Sequence, residues 1–286
     1  MNLNGRNAII SGANQGLGFE IAKRFVMDGA NVMLCARNAD SLFKAQKELQ
    51  ALGQSGKIYA KPTDVSQLNE IEALVAEAAK QMGNIDILVA NAAVYGPKGP
   101  IEEIDWQEWS DAIDINLKGT VLQCRAVLPL MKKQGQGKII ILSGGGATKP
   151  MPNLSAYAAS KAAVVRFAET LSEEVADFGI DVNTVAPGAL NTRLLDEVLE
   201  AGPEKVGQQF YDQAIKQRDS GGTPLSTGAN LCSFLAGKES NGITGKLISA
   251  VWDPWKKLPD LINELKKSDI YTLRRIIPED RGQNWN

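Results

Sequence analysis

Short apolar runs alternate with longer amphipathic stretches along most of this chain, and this alternation restricts its fold more than any other feature. The short runs are apolar on both faces, which is typical of strands buried in a parallel sheet. They cover residues 7–11, 31–36, 57–60, 85–90, 138–143, 181–186 and 246–249. The stretches with apolar residues three and four apart, typical of helices, cover 17–28, 41–52, 68–81, 117–132 and 160–178. The alternation predicts an α/β fold: a single Rossmann-like, doubly wound parallel sheet of about seven strands with helices on both faces.

We expect one domain over residues 1–250, because the sequence has no internal repeat and no low-complexity linker. A chain of 286 residues that is 44% hydrophobic can bury one large core. Two segments depart from the alternation. Residues 193–222 are polar and read as a loop, and residues 251–286 form a C-terminal extension with three tryptophans. We expect the extension to pack on the same domain or on a neighbouring subunit, its tryptophans either attaching it or stacking on a ring-shaped substrate.

Composition excludes several classes of protein. The formal net charge of −2 argues against a nucleic-acid partner. No apolar run approaches the ~20 residues of a membrane span, and the N-terminus lacks a signal-peptide pattern, so we expect a cytoplasmic protein. Three scattered cysteines predict buried thiols rather than disulfides or a metal site. Because the chain has no histidine, any general base must be Tyr, Lys, Asp, Glu or a thiol.

A glycine-rich loop follows the first predicted strand. Its sequence, S-G-A-N-Q-G-L-G over 11–18, leads directly into a predicted helix. Such a loop lets backbone amides approach a pyrophosphate, and the helix N-terminus stabilises the negative charge. The alternative is a tight turn without a ligand. The candidate cofactor-binding residues here are Gly12, Asn14, Gln15, Gly16, Leu17 and Gly18.

The end of the second strand indicates which dinucleotide binds. An acidic residue near this point would accept a hydrogen bond from a free ribose 2′-hydroxyl. The chain has Ala36 instead, followed by Arg37 and Asn38. The planar cation of Arg37 suits a phosphate, which favours NADP(H) over NAD(H), unless Arg37 is simply a solvated surface residue.

Tyr157 and Lys161 are the candidate acid/base pair. Four residues apart on a helix, they would lie on one face. A free tyrosine has a pKa of ~10, and we expect the neighbouring ammonium to lower it. The pair could then protonate a developing alkoxide or deprotonate an alcohol while hydride moves to or from a nicotinamide.

These motifs, in this order, resemble the short-chain dehydrogenase/reductase family over roughly residues 5–249. The matching positions are the three glycines of the loop, Asp64 and Val65, the N-A-A of 91–93, Asn116, the Tyr157/Lys161 pair, Pro187, Gly188 and Thr192. The resemblance implies a homodimer or homotetramer that packs the helices around 117–132 and 160–178.

The resemblance also implies roles for single residues. Asp64 would lie beside the adenine with Val65 packed against it, and Asn91, next to Ala92, would fix the backbone near the ribose. Asn116 would hold a water that links Lys161 to solvent; its alternative is a simple helix interruption. Pro187, Gly188 and Thr192 would border the nicotinamide, although Pro187 and Gly188 could also be only a turn.

The sequence departs from the family pattern at the fifth strand. Where the family places a serine that binds the substrate carbonyl, this chain has Gly144, and Ser143 comes one residue earlier. Neighbouring strand residues point to opposite faces. Ser143 can therefore bind the substrate carbonyl only if the loop shifts its register by one residue. The backbone amides of 144–146 are the alternative donors.

We therefore expect an NADP(H)-dependent oxidoreductase that transfers hydride between nicotinamide and the carbonyl or secondary alcohol of a small, polar substrate. Segment 193–222 would cover that substrate, as the resemblance implies. Two alternatives stay open: a relative that uses bound NADP(H) for epimerisation or dehydration, and a cofactor-binding regulatory or scaffold protein that has lost catalysis. The absent serine keeps the second of these open.

Overall fold

A computed structural model describes residues 2–285 and contains one seven-stranded sheet. All neighbouring strands pair in parallel, in the spatial order β3-β2-β1-β4-β5-β6-β7. The strands are β1 Asn7–Ser11, β2 Asn31–Ala36, β3 Ile58–Pro62, β4 Ile87–Ala90, β5 Gly137–Leu142, β6 Ile180–Ala186 and β7 Leu247–Ser249. The predicted doubly wound fold is confirmed.

Helices cover both faces of this sheet. They are α1 Gly16–Met27, α2 Ala39–Gln50, α3 Leu68–Met82, α4 Trp106–Ile113, α5 Gly119–Gln134, α6 Ser155–Glu174, α7 Arg193–Ala201, α8 Pro203–Val206, α9 Gln208–Asp219, α10 Leu225–Ala236 and α11 Ile262–Lys266. Helix α6 begins at Ser155 rather than at 160, so Tyr157 lies in its first turn. No helix among residues 2–285 is long and apolar enough to cross a bilayer.

Alternate residues of each strand enter two different cores. On β5, Ile140 and Leu142 join a core with α1, α2 and α10. Ile139 and Ile141, which point to the other face, join a core with α3, α5 and α6. Burial on both faces explains why the strands are continuously apolar. The three cysteines are free and buried in these cores.

The prediction that residues 193–222 form a loop is wrong, because this segment folds into α7, α8 and α9. Leu195 and Val198 on α7 form a small separate core with Val206 and Ala214. Gly202 and Gly207, with φ of 77° and 84°, end one helix and allow the next to begin. The polar composition that suggested a loop belongs to the outer faces of short amphipathic helices.

The C-terminal extension packs partly into the domain core. Trp255 is buried, its ring centroid lies 5.3 Å from that of Phe234, and Leu258 and Leu265 join the same core. The Leu247 amide on the edge strand β7 donates a 2.7 Å hydrogen bond to the Tyr271 carbonyl. Trp252, in contrast, is 84% exposed. Different tryptophans of the extension therefore have different environments.

Candidate active site

A cavity of about 1470 Å³ lies at the carboxyl ends of the strands. In a doubly wound sheet this edge is where ligands bind. Of the residues predicted from sequence, the following line it: Gly12, Asn14, Gln15, Gly16, Leu17, Gly18, Arg37, Asn38, Asp64, Val65, Asn91, Ala92, Ser143, Tyr157, Lys161, Pro187, Gly188 and Thr192. Asn116 is the predicted residue that lies behind the cavity wall rather than in it.

The glycine loop between β1 and α1 is shaped by close backbone contacts. Gly12 and Gly16 have φ of 61° and 57°, which favours glycine. A Cβ on Gly18 would overlap the Gly12 carbonyl oxygen and the amide nitrogen of the Asn91 side chain. That side chain donates hydrogen bonds to the carbonyls of Ser11, at 2.9 Å, and Gly12, at 3.3 Å. The loop is thus tied to the end of β4 and suits the close approach of a pyrophosphate.

The far end of the cavity carries an unpaired cation. Arg37 is exposed and makes no hydrogen bond or ion pair with any described residue. The neighbouring Asn38 caps α2, because its side chain accepts a 2.8 Å hydrogen bond from the Ser41 amide. Asp64 accepts two hydrogen bonds from Ser66, at 2.9 and 2.7 Å, which orient its carboxylate.

Tyr157 and Lys161 are both buried on one face of α6. The Lys161 Nζ donates a 2.8 Å hydrogen bond to the Leu142 carbonyl at the end of β5. Burial lowers the pKa of Lys161 to about 8. Burial, and secondarily repulsion from Tyr95 when that residue is ionised, raise the pKa of Tyr157 above its usual range.

The structure therefore differs from the expectation of a pKa for Tyr157 below its usual value, because burial outweighs the stabilisation of a phenolate by Lys161. The Nζ lies 5.7 Å from the centre of the tyrosine ring and is bound to the Leu142 carbonyl. At this distance the ammonium does not offset the cost of burying a phenolate. With Lys161 bound to the Leu142 carbonyl, Tyr157 keeps its proton at neutral pH and is a proton donor.

The loop after β5 presents Gly144, not Ser143, to Tyr157. A Cβ on Gly144 would overlap the Tyr157 hydroxyl oxygen. The Ser143 Oγ is shielded from solvent and has no hydrogen-bond partner among residues 2–285. The Ser143 amide donates a 2.9 Å hydrogen bond to the Val185 carbonyl, which continues the strand pairing one residue beyond β5. The register shift that Ser143 needs is not present.

Asn116 lies in a π-helical turn, Asp114–Lys118, between α4 and α5. Its side chain binds both backbone groups of Val94: it accepts from the amide and donates to the carbonyl, each at 2.8 Å. It also donates a 3.0 Å hydrogen bond to the Ser160 hydroxyl on α6. Asn116 thus fixes the segment after β4 against the helix that carries Tyr157, and π-turns of this kind are frequent at functional sites.

Sequence reasoning missed Tyr95, which also lines the cavity. Its ring packs edge-on against that of Tyr157, with the ring centroids 4.6 Å apart. Its position shortly after β4 could have indicated it, because the carboxyl ends of neighbouring parallel strands meet at one edge of the sheet.

The comparison with known protein families agrees with this geometry. The family model described as short chain dehydrogenase matches residues 6–202. The chain belongs to the short-chain dehydrogenase family. Members of this family are oxidoreductases, and this short-chain dehydrogenase is one of them.

Two curated relatives and one solved structure show how near the resemblance is. Dehydrogenase/reductase SDR family member 4 from Homo sapiens is 34% identical over 241 residues, which cover 84% of each chain. Glucose 1-dehydrogenase from Gluconobacter oxydans is 33% identical over 245 residues, covering 85% of this chain and 90% of the relative. A variant of actinorhodin polyketide ketoreductase, solved with NADPH, superposes with a TM-score of 0.77 at 30% identity, covering 85% and 95% of the two chains.

Proposed function

We propose that this short-chain dehydrogenase transfers hydride between NADP(H) and the carbonyl or secondary alcohol of a small, polar substrate. The main support for this proposal is that Tyr157, Lys161 and the glycine loop all line one cavity. When bound, the dinucleotide supplies or accepts the hydride. The chain's own residues bind it, orient the substrate and move the proton.

Tyr157 acts as the general acid in carbonyl reduction. Its hydroxyl gives a proton to the substrate oxygen as that oxygen gains charge, and in the reverse direction the phenolate takes the proton back. The raised pKa favours the protonated form that reduction requires. Lys161, held by the Leu142 carbonyl, supplies the positive charge that stabilises the phenolate left behind. Asn116 supports this arrangement from behind the wall by holding the segment after β4 against α6.

The cofactor-binding residues are those predicted from the sequence. The loop with Gly12, Gly16 and Gly18, whose fold leaves no room for a side chain at Gly18, would hold the pyrophosphate. Arg37 binds the 2′-phosphate, supported by its exposure and its lack of any partner within residues 2–285. The ketoreductase solved with NADPH supports the same cofactor. Asp64, Val65, Asn91 and Ala92 hold the adenosine half, and Pro187, Gly188 and Thr192 border the nicotinamide.

The substrate binds beneath α7 and α9, where Gln213, Gln217 and Asp253 give the cavity polar walls. These walls favour a hydroxylated or otherwise polar ketone.

We also propose a homodimer or homotetramer that packs α5 and α6 of neighbouring subunits.

Cofactor binding and turnover, measured together, test the proposal. NADPH and NADH are titrated by calorimetry, and the oxidation of each is then followed with dihydroxyacetone and ethyl acetoacetate as a polar and an acyl ketone. We expect tighter binding of NADPH and ketone-dependent oxidation of NADPH. Tight NADPH binding without turnover across a broad panel of ketones would contradict the proposed activity.

A further inference from the structure

The loop after β5 offers no side-chain hydroxyl to a substrate oxygen. Gly144 faces Tyr157 without a side chain, and the Ser143 Oγ is shielded from solvent. A developing oxyanion is stabilised most by preorganised donors aimed at it, and the β5 loop adds no side-chain hydroxyl to that of Tyr157. A second hydroxyl has to come from another part of the cavity wall.

Tyr95 is the hydroxyl-bearing residue packed against Tyr157. The two rings meet edge-on at a centroid distance of 4.6 Å, and both residues line the cavity. The Tyr95 hydroxyl makes no hydrogen bond with any described residue, although the rest of the residue is largely buried. It is therefore free to donate a hydrogen bond to a ligand.

The backbone on both sides of Tyr95 is held in place. Asn116 binds the amide and carbonyl of Val94, the preceding residue. Gly96, the following residue, has φ of 74°, and a Cβ there would press on that of Ala112 on α4. Tyr95 is thus preorganised by the same π-turn that supports α6.

Burial and a neighbouring carboxylate keep Tyr95 protonated, and ion pairs of that carboxylate connect Tyr95 to the helices over the cavity. Burial and the Glu197 carboxylate raise the pKa of Tyr95 to about 12, so the hydroxyl is a donor at neutral pH. Lys98 lies 5.8 Å from the centre of the ring and pairs with Glu197 on α7 at 3.5 Å. Arg193 pairs with the same carboxylate at 3.1 Å.

We propose that the Tyr95 hydroxyl donates a second hydrogen bond to the reacting oxygen of the substrate, in place of the side-chain hydroxyl that the β5 loop lacks. Tyr95 is then a catalytic residue that stabilises charge on the alkoxide, while Tyr157 transfers the proton. This inference rests on the proposed carbonyl chemistry.

The first test compares two variants with the wild type in ethyl acetoacetate reduction. Tyr95→Phe should lower kcat roughly 10- to 100-fold with KM within about 3-fold, because the lost bond is strongest in the transition state. Tyr211→Phe is the matched control, since Tyr211 packs in the small core with Tyr95 but does not line the cavity. Tyr211→Phe should keep the wild-type kcat. An unchanged kcat in Tyr95→Phe, or an equal loss in Tyr211→Phe, would overturn the proposal.

A binding measurement makes the test independent of turnover. The probe is 1,1,1-trifluoro-2-propanol, an acidic secondary alcohol that resists oxidation, titrated by calorimetry into the enzyme saturated with NADP⁺. Tyr95→Phe should weaken its binding about 10-fold without changing NADP⁺ affinity, because a hydrogen bond to the alcohol oxygen is lost. Equal affinity of Tyr95→Phe and wild type would overturn the role of Tyr95. A wild type that binds the probe but reduces no ketone would instead count against the proposed function.

Discussion

The hydroxyl oxygen of Tyr157 lies where a side chain at Gly144 would begin. A Cβ built on Gly144 would overlap this hydroxyl and lie 3.2 Å from the Cζ of the same ring. The backbone of Gly144 is extended, with φ of −172°, so its conformation does not require glycine. The requirement comes from the space that Tyr157 occupies.

Gly144→Ala should therefore damage catalysis more than folding. The added methyl displaces the buried tyrosine ring, and we expect kcat to fall at least about 10-fold while NADPH affinity is kept, since small misplacements of catalytic groups are costly. Gly145→Ala is the control, because a Cβ at Gly145 meets nothing within 4 Å. Equal activity of the two variants would show that the Tyr157 position does not depend on the space at residue 144.

Much of the fold was predictable because burial on both faces makes the strands of a parallel sheet continuously apolar. The strand 31–36 has the same bounds in the sequence prediction and in the structure. Helices α7–α9 were missed because their apolar stripe packs against only a small local core, so polar residues dominate the composition. Helix α4 was missed as well, since Ala112 is its one buried residue.

The motifs of the site were predictable, but their distances were not. The sequence places Tyr157 and Lys161 on one helix face, and the structure agrees. It could not indicate that the Lys161 ammonium binds the Leu142 carbonyl, or that burial dominates the pKa of Tyr157. Tyr95 belongs to no motif of the glycine loop or of α6, and its position after β4 gives no sign that its ring packs against that of Tyr157.

Carbonyl reduction should lose activity as pH rises. Burial lowers the pKa of Lys161 to about 8, whereas Tyr157 keeps its proton to higher pH. The ammonium that stabilises the phenolate is present below this pKa and is lost above it. The kcat/KM for ketone reduction at saturating NADPH should therefore be flat between about pH 6 and 7 and fall above about pH 8. A profile that is flat to pH 10 would contradict the role of a charged Lys161.

Arg37→Ala should weaken NADPH binding selectively. Loss of a charge-assisted contact to the 2′-phosphate is expected to raise the NADPH Kd roughly 10- to 100-fold and to change the NADH Kd by less than about 2-fold. Calorimetry measures both constants. Arg275→Ala removes an exposed arginine from the C-terminal extension, outside the cavity, and controls for net charge. An equal loss for both dinucleotides would exclude a contact of Arg37 with the 2′-phosphate.

Trp255 and Trp252 should differ sharply in their contribution to stability. Trp255 is 9% exposed and packs against Phe234, so Trp255→Ala should lower the free energy of unfolding by about 3–5 kcal/mol. Trp252 is 84% exposed, and Trp252→Ala should change the free energy of unfolding by less than about 0.5 kcal/mol. Urea denaturation measures both. Similar midpoints for the two variants would show that the extension does not depend on the Trp255 contact.

The turnover of Tyr157→Phe tests the central claim most directly. The assay measures ketone-dependent NADPH oxidation and NADPH affinity in the wild type, in Tyr157→Phe and in Tyr59→Phe, a control whose hydroxyl contacts the Gln81 carbonyl outside the cavity. We predict that Tyr157→Phe loses about 10²- to 10⁴-fold in kcat while its NADPH affinity and thermal midpoint match those of the wild type. Tyr59→Phe should keep wild-type turnover. Wild-type kcat in Tyr157→Phe would contradict the assignment of Tyr157 as the proton donor.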